Sequence, residues 1–278
     1  MVKIDNLTFG YSKNKNLFDQ MNMQLEAGHI YGLFGENGAG KSTLLKNMVG
    51  LVYAQQGSIE VMGFNPRKRN PKMLQNICFI PEEFDLPGIG IEAYVKSIAG
   101  FYPKFDRAEL QQLLNEFDVP KDQKLSEMSY GQKKKFIIAF GLATNAKLIV
   151  MDEPTNGLDI PSKTQFRKIM SSVLTDERCI VISTHQVRDL DNLIDTVIVL
   201  NENKVALNAS VDEITKKLLF KKVRELDETA IYGEPSLMGY QAIFKNTDQQ
   251  ESKLDIELLF NAMLNSKEQL YTIFNQAS

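Results

Sequence analysis

Tryptophan is absent from these 278 residues, and histidine and cysteine occur twice each. Cys78 and Cys179 lie 101 residues apart, each inside an apolar run. That placement points to two buried thiols in a reducing compartment and away from a disulfide or a metal pair. Excess charge is also missing: 32 Lys and Arg against 35 Asp and Glu leave a net charge of −3. No broad basic footprint for nucleic acid or anionic lipid follows from that balance. Long apolar runs are lacking too. Stretches such as Phe136 to Ala143 are far too short to span a bilayer, and the opening Met-Val-Lys-Ile-Asp-Asn carries no apolar signal region. If the protein works at a membrane, another chain does the spanning. No internal repeat and no low-complexity tract interrupts a composition that is 43% hydrophobic and 24% charged, ordinary for a large globular domain with or without an appendage.

What is present centres on Gly35-Glu36-Asn37-Gly38-Ala39-Gly40-Lys41-Ser42-Thr43. This is G-x-x-x-x-G-K-[ST], preceded by the apolar run Ile30 to Phe34 and followed by a short helical pattern that stops at Gly50. Strand, glycine loop and helix form the context the motif needs. The glycines let successive N–H groups converge on a phosphate, and the helix N-terminus adds the positive end of its dipole. Lys41 can then reach the β- and γ-phosphates, and the Ser42 hydroxyl can ligate Mg²⁺.

A second apolar run, Leu148 to Met151, ends in Asp152-Glu153-Pro154. A buried strand here sets Asp152 beside the phosphate loop, where it can hold Mg²⁺, and Glu153 can polarise the water that attacks the γ-phosphate. Thr155-Asn156-Gly157-Leu158-Asp159 follows as a turn with another acid. Ser129-Tyr130-Gly131-Gln132 has the spacing of a capping box. The same free helix N-terminus is an anion site open to a phosphate from outside the subunit. The run Ile180 to Thr184 ends at His185, which becomes a candidate site residue because a phosphate loop stands upstream; His29 is read as the first residue of a strand. Tyr11 follows Phe9-Gly10, and an aromatic on a polar loop can stack on a purine. Packing of Tyr11 on the sheet edge is the other reading.

The pattern of elements is α/β. Residues 2–9 and 17–25 alternate as antiparallel strands around a turn at Asn14 to Asn16, and Ser58 to Met62 reads as an edge strand. Ile77 to Ile80 reads as a buried strand cut off by Pro81. From about 84 to 146 the texture is helical: Ile91 to Ala99, a helix opened by a capping box at Asp106-Arg-Ala-Glu109, and Ser129 to Ala143. Continuous apolar runs at 148–151, 179–182 and 197–200 suit parallel strands covered on both faces. A hairpin turning at Glu202-Asn203 and a short helix from Val211 close this part. Beyond it, Phe220 to Leu226, Ala230 to Tyr232 and Tyr240 to Phe244 read as strands, and Lys253 to Gln276 as a long, broken amphipathic helix.

Taken together, these motifs resemble the ATP-binding subunit of ABC transporters over roughly residues 1–215. Tyr11 matches the adenine-stacking aromatic, Gly35 to Thr43 the Walker A loop, and Ser129 to Gln132 the signature usually written L-S-G-G-Q. Asp152 and Glu153 match the Walker B Asp and catalytic Glu, Asp159 the D-loop Asp and His185 the switch His. The resemblance implies a P-loop NTPase (RecA-like) core with an antiparallel β subdomain and a helical subdomain near 84–146, all within 1–218. Residues 219–278 are left as a small α+β extension that aids dimerisation or regulation, or simply covers the core. ATP and Mg²⁺ are the implied ligands. A head-to-tail dimer is implied as well, with Ser129, Gly131 and Gln132 facing the partner's ATP, whether the partner is a second copy or a relative.

Two departures stand out. Met128 and Tyr130 replace the Leu and first Gly of the signature. At Ile80-Pro81-Glu82-Glu83, Glu82 occupies the place where the family usually has Gln. Its carboxylate can still ligate Mg²⁺, or Glu82 and Glu83 form a solvated turn pair. The Pro-Glu-Glu form is similar to subunits of bacterial antibiotic and peptide exporters. The expectation is an ATPase on the cytoplasmic side of the membrane that energises a separate permease. A soluble ABC-type ATPase acting on ribosome or DNA fits less well, since it usually carries two ATPase domains or a long coiled-coil insertion. Intact Lys41, Asp152, Glu153 and His185 argue against a non-catalytic ATP-binding module.

Overall fold

The computed structural model describes residues 1–12 and 15–275, and its strands follow the two kinds of hydrophobic pattern in the sequence. β1 (Val2–Phe9) and β2 (Phe18–Leu25) pair antiparallel. The pairing is irregular: Asn6 and Gln20 have φ of 49° and 50°, and the register shifts on either side of Leu7. The turn expected at Asn14 to Asn16 includes Asn14, outside the described residues. β3 (His29–Gly35) leads into the glycine loop and α1 (Lys41–Met48), and β4 (Gln56–Val61) returns to the free edge of β1.

α2 (Pro71–Leu74) precedes β5 (Ile77–Ile80). A helical segment follows, comprising α3 (Ile91–Ile98), α4 (Arg107–Glu116) and α5 (Tyr130–Ala143). The capping box expected at Asp106 is only half formed. Asp106 Oδ1 accepts from the N–H groups of Ala108 and Glu109 at 2.7 and 3.0 Å. Glu109 does not reach back. The Asp106 N–H already donates to the Ala143 carbonyl at 2.9 Å, and the Glu109 carboxylate accepts from Asn145 Nδ2 at 2.7 Å.

β6 (Leu148–Asp152), α6 (Ile160–Val173), β7 (Cys179–Ser183), β8 (Thr196–Asn201) and β9 (Lys204–Ser210) complete a six-stranded sheet ordered β5-β6-β7-β3-β8-β9. It is parallel except for the β8–β9 hairpin. Successive residues of its strands serve opposite faces. Ile149 and Met151 enter the core under the helical segment, whereas Leu148 and Val150 enter the core under the β1-β2-β4 sheet. Both thiols are free and buried, and burial pushes each up to about 12.

α7 (Val211–Lys217) is followed by β10 (Leu218–Val223), β11 (Ala230–Ser236) and β12 (Gly239–Lys245), paired in the order β10-β12-β11. α8 (Ile256–Asn265) and α9 (Lys267–Asn275) come last, separated at Ser266. Gln276, the expected end of this helical stretch, lies outside the described residues. Ile243, Leu258, Leu259 and Met263 share one apolar cluster with the helical-side face of the central sheet.

Candidate functional site

The site forms where the parallel strands end. Pairing of Leu33 with Ser183, Gly35 with Leu200 and Asp152 with Ser183 brings the C-terminal ends of β3, β6, β7 and β8 to one edge, the place where open α/β sheets hold ligands. Gly40 is the N-cap of α1 with φ 99°, and a Cβ there would stand 2.7 Å from the Phe18 ring. Only glycine supplies both that backbone and that close approach. The first N–H groups of α1, which lack partners within the helix, lie at this turn.

Lys41 is buried, and its ammonium donates to the Gly35 carbonyl at 2.7 Å and the Glu36 carbonyl at 3.2 Å. Burial lowers its pKa, and the nearby charges of Glu153, Asp152 and Glu82 oppose that shift. Tyr11 is exposed on its loop, edge-on to Phe9, and its hydroxyl shares a 3.1 Å hydrogen bond with Thr43 Oγ1. A cavity of about 540 Å³ is bounded by Tyr11, by Asn37, Gly38 and Gly40 to Thr43 of the loop, and by Glu82, Glu153 and His185.

The acids are held individually. Asp152 Oδ1 accepts from Ser183 Oγ at 2.5 Å. Glu153 has φ 47°, a left-handed conformation that is uncommon for a side-chain-bearing residue, and its N–H donates to the Ser183 carbonyl at 3.1 Å. The bend aims its buried carboxylate at the cavity, where Oε1 meets His185 Nδ1 at 2.9 Å. Glu82 and Glu83 part company: Glu83 is exposed, whereas Glu82 lines the cavity and accepts from Asn156 Nδ2 at 2.8 Å.

Ser129, Gly131, Gln132 and Asp159 do not border that cavity. Ser129 caps α5 with a complete capping box: its Oγ accepts from the Gln132 N–H at 3.3 Å, and Gln132 Oε1 accepts from the Ser129 N–H at 2.9 Å. Asp159 caps α6 through the Ser162 N–H at 2.9 Å, and Ser162 holds its carboxyl below the ordinary range. The two turns touch, since a Cβ on Gly131 would lie 3.2 Å from the Gly157 carbonyl. Asn156, Ser183 and Lys134 join the network without having been singled out in the sequence. His29 begins β3 and pairs with Asp195 across 2.8 Å.

The family model described as ABC transporter matches residues 18–156. The lantibiotic transport ATP-binding protein SrtF of Streptococcus pyogenes is 30% identical over 234 residues, covering 81% of this chain and 100% of that protein. The ABC transporter ATP-binding protein YtrB of Bacillus subtilis is 28% identical over 221 residues, covering 79% of this chain and 75% of that protein. Among solved structures, an ATP-binding subunit of an ABC transporter superposes with a TM-score of 0.69 at 24% identity, covering 77% of this chain and 91% of that chain.

Proposed function

Because this chain belongs to the ABC transporter family as one of its ATP-binding subunits, we propose that it hydrolyses ATP to drive a separate permease of the export type. The observation that carries the reading is one cavity bordered by Lys41, Ser42, Glu82, Glu153 and His185, with Glu153 already bonded to His185. In this reading the loop N–H groups and Lys41 hold the ATP phosphates, and Tyr11 stacks on the adenine. Lys41 exchanges its bonds to Gly35 and Glu36 for phosphate oxygens. Glu153 accepts a proton from the attacking water as the water oxygen bonds to the γ-phosphorus and the bond to the ADP oxygen breaks. His185 fixes the orientation of the Glu153 carboxylate.

Ser42, Asp152 and Glu82 offer the hard oxygen donors that suit Mg²⁺, and Ser42 and Glu82 face the same cavity. When bound, the ion neutralises charge on the phosphate oxygens. Ser129, Gly131 and Gln132, outside this cavity, are assigned to the ATP of a second ATPase subunit, with Asp159 beside them.

An apolar groove of about 500 Å³ on another face runs between Leu51, Leu74, Phe79 and Phe101, with Arg69 as its only charged wall and Phe101 68% exposed. We assign this groove to a cytoplasmic segment of the permease. No helix among the described residues is long and apolar enough to cross a membrane, so a peripheral position on the cytoplasmic side accords with this docking. Residues 1–218 are proposed as the ATP-binding domain and 219–278 as its extension. Pull-down of the tagged chain from mild-detergent membrane extract, with mass spectrometry, tests the assignment. A multi-spanning permease is expected among the partners. Ribosomal or chromosomal proteins without a permease would overturn it.

A further inference from the structure

We propose that helix α8 of the C-terminal region is a positioning element for His185, acting through Phe260 and Glu257 on the turn that follows that histidine. The inference rests on the reading of His185 as the partner of the catalytic Glu153. Residues Val187–Leu190 form a single turn of 3₁₀-helix two residues beyond His185. That turn is gripped from two sides. From α6, Lys163 Nζ donates to Gln186 Oε1 and pairs with Asp189 Oδ2, both at 2.7 Å. From α8, Glu257 Oε2 accepts from Arg188 Nε at 2.8 Å.

Apolar packing adds to these bonds. Val187, Leu190 and Leu193 bury into the same cluster as Leu258, Leu259 and Met263 of α8. Phe260 packs half-buried on that cluster and lines a cavity beside the phosphate loop. This cavity, of about 440 Å³, is bordered by Glu36 and Asn37 of the phosphate loop, by Thr184 and His185, and by Val187 and Phe260. The turn at Val187–Leu190 lies between the end of β7 and the contacts made by α8, so a shift of α8 is passed to the backbone that carries His185. The His185 side chain is 41% exposed, and its Nδ1 meets Glu153 Oε1 at 2.9 Å. Its placement therefore depends on the backbone that carries it. Misplacing an orienting group by about 1 Å can slow a reaction as much as 10²-fold without loss of ground-state binding.

The test is steady-state ATP hydrolysis and fluorescent-nucleotide binding by the full-length chain, with His185→Ala as reference. Phe260→Ala is expected to lower kcat on the order of tenfold with KM for ATP unchanged, and Phe260→Leu to restore most of it. Glu257→Arg, which sets like charges against Arg188, is expected to lower kcat about two- to fivefold, with recovery in the double variant Arg188→Glu, Glu257→Arg. If Phe260→Ala does not fold, the charge-reversal pair decides alone. Unchanged kcat in both Phe260→Ala and Glu257→Arg, while His185→Ala is slow, overturns the inference. So does a joint fall of kcat, nucleotide affinity and melting temperature that Phe260→Leu fails to rescue. A fully active His185→Ala instead overturns the underlying reading of the site.

Discussion

Lys134 Nζ donates to the main-chain carbonyl of Glu82 across 2.9 Å, and Tyr130 Oη donates to the same oxygen across 2.8 Å. One carbonyl thus fastens the signature helix to the loop after β5. The Lys134 side chain is buried, with its ammonium 5.3 Å from the Phe84 ring centre and 5.7 Å from that of Tyr130. Burial pulls its pKa from 10.5 down to about 8, against the pull of Glu82, Asp152 and Glu153. The turn assigned to the partner's nucleotide and the acid facing this subunit's own are therefore joined through one buried cation.

Lys134→Met keeps most of the unbranched apolar stem and removes the charge. With its folded pKa below the unfolded value, Lys134 binds fewer protons in the folded state between pH about 8 and 10.5. Its contribution to stability therefore rises with pH across that window and is constant below it. Urea denaturation near neutral and near the top of the window is expected to show the advantage of Met over Lys shrinking as pH rises. Parallel pH dependence in the two proteins would rule out a burial-shifted Lys134.

Glu153→Gln keeps the shape of the side chain and removes its basicity. Turnover is expected to fall on the order of 10²- to 10⁴-fold, while fluorescent-nucleotide titration gives wild-type affinity. Hydrolysis at the wild-type rate would remove Glu153 from the reaction.

Glu82→Gln restores the residue usual in the family and can keep the bond from Asn156, because an amide oxygen accepts as a carboxylate does. One negative charge leaves the wall of the phosphate cavity. KM for ATP at saturating Mg²⁺ is expected to fall about three- to tenfold, and the Mg²⁺ concentration for half-maximal rate to rise. Identical ATP and Mg²⁺ titrations would place the Glu82 charge outside the reach of the phosphates.

Gly157 has φ 79°, and a Cβ there would stand 2.6 Å from the Tyr130 ring. Gly157→Ala is expected to cost about 1–3 kcal/mol of stability from backbone strain and contact with that ring. It is also expected to slow hydrolysis by displacing Asn156 from Glu82. A shift of the urea midpoint corresponding to less than about 0.5 kcal/mol would show that the turn yields easily.

The strands of the central sheet were legible because helices and a second sheet cover both faces, leaving unbroken apolar runs such as Leu148 to Met151. The glycine loop was legible because its chemistry demands contiguous residues. Lys134 was hidden in Lys133-Lys134-Lys135, a run with the texture of a solvated face; only the packing of α5 on the loop at Glu82 separates its middle member. The bond from Asn156 to Glu82 joins side chains 74 residues apart, and the grip of α8 on Val187–Leu190 spans a similar distance. No local pattern encodes such meetings. At Asp106 the spacing was right and the reciprocal bond absent, because tertiary partners claimed both the N–H and the Glu109 carboxylate.

The phosphate loop leaves β3, and both neighbours of β3 in the sheet, β7 and β8, come from much later in the chain. Ser183 lies 148 residues beyond Gly35, a delay of roughly 7–30 s at ordinary rates of synthesis. During that interval β3 emerges from the ribosome as a bare apolar strand with both edges unpaired. Such exposed edges are what make a nascent polypeptide prone to aggregate, and the nucleotide pocket is complete only once the last core strands are translated.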